Sequence, residues 1–401
     1  MDRRTFLLSA AGAAACAPAP EPDRNALAIQ VTGVEVFTLR VNDRGNWVVI
    51  RVQTDAGLTG LGDASHSRGG RNDPAIPKVL EYVERMKGRS IFDLEWLKQQ
   101  CAPEFAEHGR ATSCSWSAIE QALFDIQGQA LGVPCWAFFG GKQRDAVRNY
   151  ANINRGTDDR TPAGFAANTQ SAIDAGFDAV KMATFDGFPR QGTSGEKEAF
   201  MSLGVDCARA AREVLGDDAD LLIDAHNNFT YEEGTEVIRR LEPLNLFWLE
   251  EISRPLDLMG RYNAESPIPI AGGESLFMLD GFLPYVEARA ADILMPDVKY
   301  CGGMRELSRI CALAESAGMS VAPHGPATPV GNMAAAQVCV TIPNYSILEF
   351  SHSDAPWRAE LVDPPEPLSQ GGMLAVGDTP GLGYKLNEKT VQDRLESKEV
   401  L

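Results

Sequence analysis

Apolar and polar positions change their rhythm twice along this chain. From Ile29 to Val41 (IQVTGVEVFTLRV) and from Trp47 to Thr54 (WVVIRVQT) apolar residues alternate with polar ones or form short runs, with the turn NDRGN between them. That pattern predicts two strands of a small antiparallel sheet. DAGLTGLGDAS, residues 55–65, reads as the next bend. Between about 74 and 132 the apolar spacing becomes helical, and KVLEYVERM and SAIEQALFDIQGQAL are the clearest amphipathic runs. Sheet followed by helices predicts an α+β first domain that ends near Gly140 and Gly141.

After that the rhythm is regular. Strand-like runs end near Asn152, Lys181, Asp224, Glu250, Glu274, Asp297, His324 and Glu349, and the last five intervals are 23 to 27 residues, the size of one βα unit. Helical segments such as TEVIRRLEPL, MRELSRICALAESAG and Ser202 to Leu215 fill the gaps, as parallel crossovers require. Eight such strands predict a TIM-like barrel, with an open doubly wound sheet as the alternative. SHSDAPWRAELVDPPEPL, after the last strand, is too proline-rich for a helix. The barrel is therefore expected to close on a strand, with the tail returning to the first domain.

Composition removes some classes of function. A chain of 401 residues with 44% hydrophobic content is long enough for one large α/β domain and a smaller companion. Its net charge of -18 and lack of any Lys or Arg run argue against nucleic acid or an anionic membrane surface as partner. The eight cysteines include no CxxC and no Cys/His cluster, which speaks against a zinc site or a disulfide framework. The start, MDRRTFLLSAAGAAACAPAP, has paired Arg3 and Arg4, a short apolar run from Phe6 and then small residues, and is similar to a twin-arginine secretion signal. Export to the periplasm is expected, with residues 18–25 as a linker. Cys16, after three alanines, is a candidate for lipid attachment, although the position three before it lacks a large aliphatic residue. No segment approaches membrane-spanning length.

In a barrel all C-terminal strand ends open on one face, so residues at those ends converge. LLIDAHNN places Asp224 there, FWLEEIS places Glu250, and PIAGGES places Glu274, three carboxylates on consecutive strands. Acids brought this close repel unless a cation holds them. Three hard oxygen ligands without a thiolate point to Mg²⁺. Glu251 competes with Glu250, but neighbouring side chains on a strand face opposite ways, so only one can reach the metal. On the next two strands DILMPDVKYCGG supplies Asp297 and MSVAPHGPAT supplies His324, a pair in which the carboxylate can orient an imidazole that acts as base.

GLTGLGDA, SAIEQALFDIQGQALGVPCWAFFGG, VKMA, LLIDAHNN, FWLEE, GGES, MPDVKYCGG, APHG and ILEF occur in an order and spacing that resemble the enolase superfamily, and the His–Asp pair is similar to that of its mandelate racemase subgroup. The resemblance runs from residue 28 to the end. It implies an α+β capping domain over a modified (β/α)7β barrel, with Mg²⁺ at Asp224, Glu250 and Glu274. On this basis residues 1–25 are signal and linker, 26–145 the capping domain, 146–360 the barrel and 361–401 a segment returning to the cap. The shared first step it implies is removal of the proton α to a substrate carboxylate, giving an enediolate bound to the metal. Ionising that carbon puts a second negative charge on the carboxylate, which Lys181 and the metal can offset, while Glu349, if protonated, could donate a hydrogen bond to its other oxygen.

One departure directs the reading. The KxK usual in that family at the second strand is here Lys181, Met182, Ala183, so the second lysine is absent. Racemisation needs acid–base groups on both faces of the α-carbon, and His324 is the only evident base. A one-base β-elimination of water is favoured. His226, two residues past a metal ligand, resembles the histidine that in some acid-sugar dehydratases of the superfamily protonates the leaving 3-hydroxyl. The expectation is a Mg²⁺-dependent dehydratase of a sugar acid, a hydro-lyase with a small carboxylate substrate, assembled as a homo-oligomer. A racemase or epimerase, and a non-catalytic periplasmic sugar-acid binding protein, are the alternatives. Capping-domain loops such as HSRGGRNDP are expected to choose the sugar.

Overall fold

The computed structural model describes residues 26–42, 45–66, 73–105, 109–325 and 327–401. The secretion-signal and Cys16 readings therefore lie outside the described residues, as does most of HSRGGRNDP.

The two predicted N-terminal strands are present as β1 (Val31–Asn42) and β2 (Gly45–Thr54), antiparallel, with Phe37 opposite Val49. The stretch read as a bend contains a third strand, β3 (Thr59–Asp63), paired to β2. Its glycines mask the strand signal but have a packing reason. A Cβ on Gly60 or Gly62 would stand 2.0 Å from the carbonyl oxygen of Ala122 or Ala118, so only glycine lets the next helix lie this close. Helices α1 (Ala75–Met86), α2 (Leu94–Phe105) and α3 (Arg110–Leu131) complete the cap, and α3 ends where Gly132 adopts a left-handed φ of 68°.

Strand and helix then alternate through β4 (Ala146–Asn152), α4 (Pro162–Asp174), β5 (Ala179–Met182), α5 (Ser194–Leu215), β6 (Asp220–Asp224) and α6 (Tyr231–Leu241). They continue as β7 (Trp248–Glu250), α7 (Leu256–Glu265), β8 (Ile270–Gly272), α8 (Met278–Glu287), β9 (Ile293–Leu294), α9 (Met304–Ser316), β10 (Ser320–Val321), α10 (Pro329–Cys339) and β11 (Leu348–Ser351). All neighbouring pairs are parallel, in the spatial order β11-β4-β5-β6-β7-β8-β9-β10. The seam is joined by backbone hydrogen bonds from Ser346 to Val321, Val321 to Asn344 and Glu349 to Pro323. The fold is thus a (β/α)7β barrel rather than an open doubly wound sheet, and the segment directly after β11 forms the 3₁₀ turn Arg358–Leu361 where an eighth barrel helix would stand. Helix α5 begins eight residues before the apolar run at Ser202, because Thr193 and Glu196 form a capping box that starts it there. The tail returns to the cap, where the strand Leu395–Val400 pairs antiparallel with β1.

Helix α3 joins cap to barrel. Trp116 Nε1 donates to the carbonyl of Gly302 at 3.1 Å, and the Glu120 carboxylate accepts from the backbone N–H groups of Met304 and Arg305 at 2.7 and 2.9 Å, at the start of α9. Among the described residues seven cysteines are free and buried, and no helix is long and apolar enough to cross a membrane.

Candidate active site

The barrel interior has its own apolar layer of Tyr150, Ala179, Leu222, Trp248, Ala271, Ile293, Met295, Ala322 and Ile347. Strand side chains alternate, so the residue two further on from an interior position also faces inward. Tyr150 is followed in this way by Asn152, Ala179 by Lys181, Leu222 by Asp224, Trp248 by Glu250, Met295 by Asp297, Ala322 by His324 and Ile347 by Glu349. Apolar packing below thus fixes a ring of polar groups above. The same phase decides between the two glutamates, since Trp248 points inward and carries Glu250 with it. Glu251, with φ at 42°, lies behind the cluster, accepting from Asn227 Nδ2 and the backbone N–H of Gly273. Glu274 is out of phase with Ala271, but the positive φ of Gly273, 103°, turns the chain so that its carboxylate rejoins the ring.

Asp224, Glu250 and Glu274 are buried, and one carboxylate oxygen from each lies within 4.8 Å of the others. Burial pushes Glu250 up to about 8, with Asp224 and Glu274 adding to the effect and Lys181 opposing it. An all-carboxylate donor set this close suits a hard divalent cation. Lys181, also buried, places Nζ 3.0 Å from both Glu250 oxygens, 3.4 Å from Glu349 and 4.0 Å from Asp224. Burial alone would lower its pKa, but Glu250 and then Glu349 hold it well above the ordinary lysine value, so it is a permanent cation.

His324 Nδ1 is 2.7 Å from Asp297 Oδ2, and its Nε2 is 3.1 Å from Glu274 and 3.7 Å from Glu349. Burial would lower this imidazole, but Glu274, Glu349 and Asp297 together push it up to about 9. Asp297 also receives the buried ammonium of Lys299 at 2.9 Å, on the oxygen that His324 uses. Glu349 sits among donors and cations. Its carboxylate accepts from Tyr150 Oη, Asn152 Nδ2 and the N–H of Gly325 beside Lys181 and His324. Burial favours the acid form, but those two cations and the donated bonds outweigh it and hold Glu349 well below the usual carboxylate range.

His226 has a different setting. Its φ is 46°, and its imidazole stands between two acids, Nδ1 2.5 Å from Asp186 and Nε2 2.9 Å from Asp224. Only a doubly protonated ring donates from both nitrogens. Asp224 foremost, with Asp186, pushes His226 up to about 12 against the effect of burial. Both histidines, Lys181, Asp224 and Glu274 line one cavity of about 620 Å³.

Residues 34–140 match the mandelate racemase / muconate lactonizing enzyme N-terminal domain, and residues 164–390 match the family described as enolase C-terminal domain-like. The chain belongs to the enolase superfamily. Within the superfamily it falls in the mandelate racemase subgroup. It is 32% identical over 384 residues to the D-xylonate dehydratase of Haloferax volcanii, spanning 92% of this chain and 90% of that one. It is 29% identical over 362 residues to the D-gluconate dehydratase of Thermoproteus tenax, spanning 88% and 71%. Among solved structures, a mandelate racemase/muconate lactonizing enzyme-like protein from Rubrobacter xylanophilus superposes with a TM-score of 0.83 at 29% identity, covering 92% of this chain and 98% of that one. Enolase superfamily members use a divalent metal, and Asp224, Glu250 and Glu274 form a carboxylate cluster of the kind that could hold one.

Sequence reasoning missed several groups in the cavity. Asp186 lies five residues past Lys181 on an irregular loop, where no periodicity signals it. Arg110 comes from the cap, its guanidinium over the Tyr300 ring and 3.6 Å from Glu274. Asn154 and Arg155 follow β4, and Arg155 pairs with Asp354 at 3.2 Å. Lys299 does not line the cavity but is buried behind Asp297, and its spacing of two from that residue in MPDVKYCGG was the available signal.

Proposed function

We propose that this protein is a Mg²⁺-dependent hydro-lyase that dehydrates a sugar acid. The observation that carries the reading is the pairing of two unlike histidines, buried His324 on Asp297 and half-exposed His226 between Asp186 and Asp224, in one cavity beside the carboxylate cluster. The D-xylonate and D-gluconate dehydratases to which the chain is similar support the substrate class.

The divalent cation held by Asp224, Glu250 and Glu274 supplies, when bound, positive charge against the second negative charge that develops on the substrate carboxylate. Lys181 adds a fixed cation from the other side of Glu250. His324, once neutral, takes the proton from C2 through Nε2, while Asp297 holds Nδ1 and stabilises the imidazolium that results. The electron pair left on C2 then forms the C2–C3 double bond as the C3–O bond breaks. His226 gives its proton to the departing hydroxyl, which leaves as water. The enol tautomerises to a 2-keto-3-deoxy acid. Ionised Glu349 keeps Lys181 and His324 in place through their charges.

A racemase would need a second base, and at the end of β5 Ala183 offers none. A binding protein would have no use for the His324–Asp297 pair. Incubating the purified enzyme with a panel of aldonic acids and Mg²⁺ tests the reading: a 2-keto-3-deoxy acid should form from at least one, and an epimerised acid with no loss of water would overturn it. The paired Arg3 and Arg4 support a further proposal, that residues 1–25 direct export. A reporter fused to them should leave the cytoplasm, and should stay there when both arginines become lysine; retention of the unaltered fusion contradicts export.

A further inference from the structure

The loop that follows β5, residues 183–193, holds His226 at two points. Arg190 donates to the carbonyls of His226 and Asn227 at 3.4 and 3.0 Å and to the side chain of Asn228 at 2.9 Å. Those bonds fix the backbone of a turn in which His226 and Asn227 both have positive φ, 46° and 57°, conformations that cost a non-glycine residue energy and persist only when neighbours impose them. They do not fix the two side-chain torsions of the imidazole, which is held at both nitrogens, by Asp224 at Nε2, 2.9 Å away, and by Asp186 at Nδ1. Its Oδ1 engages Nδ1 at 2.5 Å, and its Oδ2 is held by Asn154 Nδ2 at 3.0 Å and lies 3.5 Å from Arg160. The Arg160 guanidinium also donates to the carbonyl of Ala183, which ties the loop after β5 to the loop after β4. The carboxylate that meets His226 is thus itself pinned from behind.

We propose that Asp186 is a positioning residue that holds His226 by Nδ1, so that Nε2, which stands 2.9 Å from Asp224 at the edge of the carboxylate cluster, is kept where the leaving hydroxyl of the substrate can meet it. The inference rests on the dehydratase reading. The same logic places an aspartate behind His324, but the two acids differ in origin. Asp297 lies just past the end of the strand next to that of its histidine, in phase with the barrel interior, whereas Asp186 arrives from the loop after β5, the connection that precedes β6. Its position follows the place where the superfamily's second lysine is missing. At that strand end Ala183 contributes only a methyl group, and the polar reach into the cavity comes three residues later. A loop staple alone would need Asp186 only for Asn154 and Arg160; the short bond to an imidazole nitrogen is the additional feature that a staple does not require.

The test is the ratio of dehydration to exchange of the α-hydrogen with deuterated solvent, measured on the full-length enzyme with Mg²⁺ and the aldonic acid it turns over. In Asp186→Asn the imidazole loses its anionic anchor, and a misplacement of an ångström or so costs on the order of 10- to 10²-fold. Dehydration should fall by that amount while exchange, which depends on His324, stays near the wild-type rate. Asp186→Glu should recover part of the loss, and Asp186→Asn should cost little more in a His226→Asn background, because the residue it positions is gone. Equal loss of exchange and dehydration in Asp186→Asn, or an unchanged ratio while His226→Asn alone suppresses dehydration, overturns the positioning role and leaves the dehydratase reading standing. If His226→Asn dehydrates at the wild-type rate, the acid assignment and the positioning role fall together.

Discussion

The ends of β6 and β10 each place a histidine in the same cavity, each with Nδ1 on an aspartate and Nε2 near a carboxylate of the cluster, but they differ in exposure, backbone and the origin of their acids. At β10 the His324 side chain is 9% exposed and bonded to an aspartate of the adjacent strand, and it reaches a value near 9 only because three acids outweigh its burial. At the end of β6 His226 is 40% exposed, sits on a positive-φ turn held by a loop, and is pushed up to about 12 by two carboxylates. The first gives up its proton at a lower pH than the second. That difference is what the proposed division into base and acid rests on.

Removing what the two regions share should have the largest effect. The carboxylates of Asp224 and Glu274 touch His226 and His324 respectively. Glu274→Gln should weaken Mg²⁺ binding and abolish turnover, with thermal unfolding close to wild type because the amide relieves repulsion as it removes a ligand. Isothermal titration with Mg²⁺ checks the first part; normal turnover in the purified variant would refute the metal assignment.

Breaking only the β10 side comes next. His324→Asn should lower both dehydration and exchange of the α-hydrogen by about 10²- to 10⁴-fold, the usual worth of a general base. Exchange is followed by loss of the C2 proton signal in deuterium oxide, and persistence of that exchange would show that another group is the base.

A third change sharpens the contrast through pH. The base works when neutral, so kcat/KM should climb as pH rises through the His324 value. Asp297 is one of the three acids that raise this value, so Asp297→Asn should move the climb to lower pH, by about one unit, while also reducing kcat because the ring is less well oriented. A limb that stays in place would mean that His324 does not govern it.

Much of this arrangement was legible because barrel strands are short and regular. The intervals between strand ends, and the phase that carries Trp248 into Glu250, are properties of the sequence itself. What could not be read depended on groups that meet without any period. Asp186 and Arg110 reach the cavity from a loop and from the cap, and nothing in FDG or HGR marks them. Glycines hid β3, since Gly60 and Gly62 serve the approach of α3 rather than a turn. The donors to Glu349 could not be read either, because they come from β4 and from the backbone of Gly325, contacts set by the closed barrel.

The smallest effect expected at the site comes from the cap. Gly62→Ala would press a methyl group onto the Ala118 carbonyl, a backbone contact that cannot swing aside, and should cost about 1–3 kcal/mol of stability as an overpacked core does. Thermal unfolding should register that loss while the ratio of dehydration to exchange stays unchanged, since neither histidine is touched.

The central claim, that His324 and His226 divide one reaction between them, is tested most directly by His226→Asn in deuterium oxide with Mg²⁺ and a turned-over aldonic acid. Exchange of the α-hydrogen should continue, because His324, Lys181 and the carboxylate cluster are intact, while formation of the keto acid falls by about 10²- to 10⁴-fold. Keto acid formed at the wild-type rate would contradict the account and make His226 a bystander.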